Sequence, residues 1–270
     1  METTATPATG IPATGTRGRF VWHELMTSDT KAAEAFYKEV VGWGTTASEN
    51  VPGMEYTIWK AGETPIGGLM AITPDAKAMG APPSWTAYVE VPDIDATAAQ
   101  VEKLGGKAIV PAQSVPDVGR FAIFQDPQGA VFAAITSANL GQPETDPKPL
   151  EFSWHELATS DLAAAIKFYE QIFGWKKQSE FDMGEMGIYH MYGRDRFTYG
   201  GMMKKPAEMP MSYWLHYVYV RDTADAAAER TTKAGGKIVL PPMEVPGGDR
   251  VAILNDAQGA FFGVHSKAAK

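Results

Sequence analysis

The sequence predicts an α+β protein of two tandem domains, each made of two βαβββ modules with helices on one face of mainly antiparallel sheets. Three observations carry this. The stretch FVWHELMTSD at Phe20 returns as FSWHELATSD at Phe152, with eight of ten positions identical. The match continues at steady spacing: Trp22, Asp29 and Phe36 recur 132 residues on as Trp154, Asp161 and Phe168, while Arg120 and Gly129 recur 130 on as Arg250 and Gly259. The small drift places insertions and deletions in loops, where they cost little. Inside each copy, apolar stripes of helical period are followed by short strand-like runs.

After a first strand around Trp22, Asp29 is a helix N-cap. Ala33, Phe36, Tyr37, Val40 and Val41 then form one helical stripe, and Gly42 ends it. Ala165, Phe168, Tyr169, Ile172, Phe173 and Gly174 repeat the pattern. Short strands are expected around 55–59 and 67–72, then a strand from Trp85 and a helix from Asp93 to Gly105. RFAIF from Arg120 and AVFAAI from Ala130 close the domain, joined by the turn QDPQG. The expected boundaries are a disordered arm at 1–17, domain one at 18–138, a proline-bearing linker at 139–150 and domain two at 151–267. Each domain is long enough to bury its own core.

Composition narrows the function. The 270 residues are 44% hydrophobic and 21% charged, with a net charge of −8. That acidity argues against nucleic acid or an anionic membrane as partner. With no cysteine, disulfides, thiolate metal sites and a cysteine nucleophile are excluded. No apolar run approaches the roughly 20 residues of a membrane span. The Thr/Ala/Pro/Gly-rich start lacks the basic and apolar parts of a signal peptide, so a cytoplasmic location is expected.

The segments WHELMTSDTKAAEAFYKEVVGW, VGRFAIFQDPQGAVF and GGDRVAILNDAQGAFF resemble the vicinal oxygen chelate superfamily of glyoxalase, bleomycin-resistance and extradiol-dioxygenase proteins, with tandem-domain glyoxalase-like proteins of bacteria the nearest in kind. The resemblance covers nearly all of the chain outside arm and linker. It implies that two modules pair into a cup-shaped half-barrel. Metal enzymes of that family use four inward side chains per cup, usually His, Glu or Gln. The resemblance places those positions on Trp22, Gly68, Thr86 and Ala133, and on Trp154, Gly201, Leu215 and Gly263. A divalent ion needs several N or O donors at about 2.0–2.6 Å, which these residues do not supply. Neither a metal nor a cofactor is expected.

His23 and Glu24 are strand neighbours and point to opposite faces. With Trp22 inward, Glu24 is inward and His23 faces the helix layer, as do their counterparts Glu156 and His155. The histidines then read as structural. His216 stands where domain one has Ala87, outside any shared mechanism. A carboxylate on an inner sheet face calls for a partner, and Arg120 and Arg250 are the expected partners of Glu24 and Glu156. Such pairs either fix strand register or anchor a ligand, with Glu24 and Glu156 as candidate general bases. Trp22, Tyr56, Trp85 and Tyr88 are expected to line one cup, and Trp154, Tyr189, Trp214, Tyr217 and Tyr219 the other. Met26, Met70, Met202 and Met203 would make the lining adaptable. Gly67–Gly68 and Gly200–Gly201 either leave ligand room or mark a bend. Trp43 and Trp175 read as plugs between helix and sheet.

The favoured reading is metal-independent binding of a small aromatic or heterocyclic molecule, with sequestration of a toxic compound as one version. An enzyme is the alternative, either metal-free through Glu24 and Glu156 or metal-dependent with an unusual ligand set. A third class is a protein whose cups are filled by their own side chains. The chain is expected to be a monomeric pseudo-dimer or a homodimer.

Overall fold

A computed structural model describes residues 16–48, 55–139 and 143–268. Residues 1–15 of the expected arm and 140–142 of the expected linker lie outside them. Domain one runs β1 (Phe20–Thr27), α1 (Thr30–Val40), β2 (Gly44–Ser48), β3 (Tyr56–Ala61), β4 (Thr64–Ala71), α2 (Pro74–Ala78), β5 (Ser84–Glu90), α3 (Ile94–Lys103), β6 (Lys107–Val115), β7 (Gly119–Gln125) and β8 (Val131–Ser137). Domain two repeats it as β9 (Phe152–Thr159), α4 (Leu162–Phe173), β10 (Lys176–Asp182), β11 (Ile188–Arg194), β12 (Phe197–Lys204), β13 (Tyr213–Tyr219), α5 (Ala224–Lys233), β14 (Lys237–Glu244), β15 (Arg250–Asn255) and β16 (Phe261–Ser266). Strands β2 and β6 and the short helix α2 were not placed by the sequence reading.

Asp29 accepts a hydrogen bond from the Ala32 backbone N–H, and Asp161 from that of Ala164, so both caps form as expected. The striped residues are buried. Each domain is one eight-stranded sheet, in the order β2-β3-β4-β1-β5-β8-β7-β6 and its copy β10-β11-β12-β9-β13-β16-β15-β14. At the centre, β1 runs parallel to β4 and antiparallel to β5.

The cores correct one expectation: the domains do not bury separate cores. Leu25, Phe36, Tyr37, Trp43 and Trp85 pack with Phe152, Val218, Leu254 and Phe262 of domain two. The reciprocal cluster joins Val101, Phe124 and Phe132 to Phe168, Tyr169 and Trp175. Each module's helix face is thus closed by a module of the other domain. Two polar relays cross the seam. Trp85 Nε1 donates to Tyr37 Oη at 2.8 Å, which donates to Asp256 at 3.2 Å. Trp214 Nε1 donates to Tyr169 Oη at 3.0 Å, which donates to Asp126 at 2.9 Å. Arg17 and Leu150 also belong to the packed structure rather than to a free arm or linker. The Arg17 guanidinium donates to the carbonyls of Gln171 and Ile172 at the end of α4, and Leu150 is buried, its carbonyl accepting from Trp43 Nε1 at 2.7 Å. No helix among the described residues is long and apolar enough to cross a membrane.

Candidate ligand site

Strand register decides which side chains meet in each cup. Glu24 lies between Gly68 of β4 and Thr86 of β5, and Trp22 is opposite Tyr88. Residues opposite one another in a sheet share a face, so Trp22, Glu24 and Tyr88 stand on the cup side and His23 and Leu25 on the other. The Glu24 carboxylate accepts from Tyr56 Oη at 2.8 Å and from Tyr88 Oη at 2.9 Å. Trp22 Nε1 in turn donates to Tyr56 Oη at 3.0 Å. Domain two repeats the network: Glu156 accepts from Tyr189 at 2.7 Å and Tyr217 at 3.2 Å, and Trp154 Nε1 donates to Tyr189 at 2.8 Å.

The neighbouring glycines serve this network. A Cβ on Gly68 would overlap the Tyr56 hydroxyl, and one on Gly201 would overlap the Tyr189 ring. The room at these glycines is taken by the protein's own tyrosines. Burial pushes both glutamates above the usual carboxylate range, opposed by the tyrosine hydrogen bonds. It also pushes up Tyr88 and Tyr217, and the adjacent glutamates add to the effect. Each cup floor therefore offers one carboxyl group fixed between two phenols, able to accept a hydrogen bond or a proton.

Several expected partners are elsewhere. Arg120 and Arg250 do not meet Glu24 and Glu156. They pair with Asp95 and Asp225 at 2.8 Å, with side chains 44% and 37% exposed. Phe121 and Ile123 take the cup side of β7, since they oppose Ile135 and Ala133. Burying an arginine there would cost more than leaving it hydrated beside an aspartate. Trp85 and Trp214 are opposite Leu25 and Leu157 and lie in the shared cores, not the cups. Trp85 and Tyr88 are three residues apart in one strand and cannot share a face. Met202 is likewise in the core. Trp43 and Trp175 are fully enclosed behind the helices. Tyr219 does keep the cup face of β13, two residues beyond Tyr217, at the strand end beside His265, with ring centroids 5.3 Å apart. Sequence reasoning named Tyr56 and Tyr189 as lining but missed them as partners of the glutamates; the glycines facing them were the available signal.

The cups differ at their rims. Phe181 is opposite Tyr189, Leu240 opposite Ile253 and Met243 opposite Val251, all on the cup side, and all three are exposed. Phe261, two residues before Gly263 on the same face, is exposed too. The exposed large hydrophobics on the cup side are thus concentrated in domain two. A separate groove of about 460 Å³, lined by Glu170, Lys177, His190 and Tyr192, lies on the opposite side of that sheet.

The profile of the Glyoxalase/Bleomycin resistance protein/Dioxygenase superfamily matches residues 19–133 and 151–264. The chain belongs to this superfamily. It is 32% identical over 247 residues to "Putative glyoxylase CFP32" of Mycobacterium tuberculosis, covering 90% of this chain and 92% of that protein. It is 28% identical over 265 residues to "Anthracycline biosynthesis protein DauV" of Streptomyces sp. (strain C5), covering 92% of each. Among solved structures, the Mn(II)-bound glyoxalase from Novosphingobium aromaticivorans superposes with a TM-score of 0.62 at 17% identity, covering 94% of this chain and 83% of that one, a likeness of fold.

The metal that such a superfamily member carries does not fit these cups. The donors that converge are one carboxylate and two phenols, already bonded to one another. Rings of Tyr56, Tyr189 and Tyr217 fill the space over Gly68, Gly201 and Gly263. Among the described residues no imidazole and no second carboxylate joins either network.

Proposed function

We propose that the protein binds a flat aromatic molecule in its cups without a metal ion, and that domain two holds the principal site. The carrying observation is the Trp–Tyr–Glu–Tyr network present in both cups, which starts from Trp22 or Trp154 and lays tyrosine rings over Gly68, Gly201 and Gly263, all positions of expected metal ligands. It supplies an indole face for stacking and a carboxyl group that accepts a ligand hydroxyl. The exposed Phe181, Leu240, Met243 and Phe261 add apolar walls in domain two. Similarity to a protein whose name links it to anthracycline biosynthesis supports planar polycyclic hydroxyquinones as the first ligand class to test.

A second reading follows from the raised glutamates. Glu24 or Glu156, once ionised, would take a proton from a bound phenol or an acidic C–H, making the cup a metal-free acid–base site.

Tryptophan fluorescence titration of chelator-treated protein with a panel of anthracyclines, anthraquinones and simple aromatic acids tests both. Saturable quenching and a raised melting temperature are expected. Trp154→Ala should weaken binding by at least about tenfold, the loss of one stacked aromatic contact. Trp43→Ala should leave affinity unchanged and cost about 3–5 kcal/mol of stability. No saturable response across the panel rejects the binding reading. Turnover abolished by Glu156→Gln selects the enzyme.

A further inference from the structure

We propose that His23, His155 and His216, buried where the two domains meet, form a binding site for one divalent ion of the zinc class, distinct from both cups. The three imidazoles come from β1, β9 and β13, on the faces turned away from the cups. One ring nitrogen of each falls within 4.8 Å of the other two. His155 Nδ1 and His216 Nδ1 are 3.1 Å apart. Two nitrogens bound to a tetrahedral zinc ion at roughly 2.0–2.1 Å stand about 3.4 Å apart, so the pair is close to ligand spacing.

His23 supplies the second observation. The residue is 6% exposed, and its Nε2 has no hydrogen-bond partner. A buried orphan nitrogen is costly, and a metal ion would satisfy it. The backbone hydrogen bond with Ile66 engages the same ring, the kind of outer contact that fixes a ligating histidine's orientation. Stacking holds the rings as well: His23 lies on Phe152 with centroids 3.7 Å apart, and His155 on Phe20 at 3.6 Å. Burial pushes all three imidazoles down, His216 to about 3, which keeps them in the neutral, ligating form.

The chemistry sets the ion and its stoichiometry. Three neutral nitrogens suit zinc, cobalt or nickel and not calcium or magnesium. Without metal, His155 and His216 share one proton between their Nδ1 atoms. For both to ligate, that proton must sit on the donor's Nε2, with no net proton release from the imidazoles. Among the described residues no carboxylate belongs to the cluster, so the ion's charge calls for an anionic fourth ligand such as hydroxide, formed from a bound water that gives one proton to solvent. A small cavity of about 10 Å³, lined by Phe20, Ala87, Trp214 and His216 among others, lies beside the cluster, and that is about the room one water or hydroxide needs. Ala87 is opposite His23 where His216 is opposite His155, so the repeat supplies one third ligand and one ion per chain.

The test uses the full chain, stripped with chelator, then refolded from denaturant with Co(II). One Co(II) per chain is expected, with the intense visible absorption of tetrahedral coordination, displaced by an equivalent of Zn(II). His216→Ala, which copies the Ala87 arrangement, should fold and bind Co(II) more than about 100-fold more weakly, since even outer contacts can be worth 10–100-fold. His23→Gln should do the same. Absence of the band after refolding, or equal binding by both variants, overturns the site and leaves three packed neutral histidines. Either result is independent of ligand binding in the cups.

Discussion

Glu24 is an acidic side chain stabilised by neutral donors. Its two tyrosines favour the ionised form, and burial opposes it more strongly, so its folded pKa lies above the ordinary value of 4.5. The folded state then holds the proton more tightly than the unfolded state. Glu24 therefore contributes stability that is full below about pH 4.5 and is lost as pH rises through the folded pKa. Glu24→Gln removes this term. In metal-free protein the variant should be less stable by about 1 kcal/mol near pH 4, through imperfect amide pairing with the tyrosines. Its deficit should shrink as pH rises, in urea titrations from pH 4 to 8. A constant deficit would mean that Glu24 titrates normally.

The pair β1–β4 carries the cup and shows how an element depends on residues without side chains. Gly67 is opposite His23, and a Cβ there would overlap the His23 carbonyl, which is backbone. Gly68 instead meets the movable Tyr56 ring. Gly68→Ala should cost about 1–3 kcal/mol by overpacking and should also free the Tyr56–Glu24 hydrogen bond. Gly67→Ala should cost more, because the parallel strands must part. Melting temperatures of the two variants check the order. The same comparison holds at Gly200 and Gly201, which face the His155 backbone and Tyr189.

The whole molecule is a pseudo-dimer within one chain. Because each core draws on both domains, a half chain ending at 138 leaves its helix face uncovered. It should give no folded monomer, either dimerising through that face or remaining unfolded; analytical ultracentrifugation of the isolated half decides, and a folded monomer would contradict the shared core. The seam should also respond to acid. Its three histidines have folded pKa values below the ordinary 6.5. In metal-free protein the unfolded state takes up protons as pH falls below 6.5 while the folded state does not, so stability is lost with falling pH, for His216 down to about 3. His216→Ala should lower the proton uptake on unfolding near pH 5 by about one.

The repeated WHEL segment, the Asp caps and the helical stripes determined the fold class and the two-copy organisation, because these are local signals of period and capping read directly from residue order. Alternation in β1 likewise put Trp22 and Glu24 together and set His23 apart. What the sequence could not supply was which faces meet. Arg120 was a plausible partner for Glu24 by charge alone, yet a hydrated pair with Asp95 costs less than burial, and phenols met the carboxylate instead. Trp85 has the composition of a cup residue and the parity of a core residue. His216, without a counterpart in the repeat, meets His155 within domain two, but gained His23 only when the second domain packed against the first. Such contacts join residues far apart in sequence, and only tertiary packing chooses among partners that local chemistry leaves equivalent.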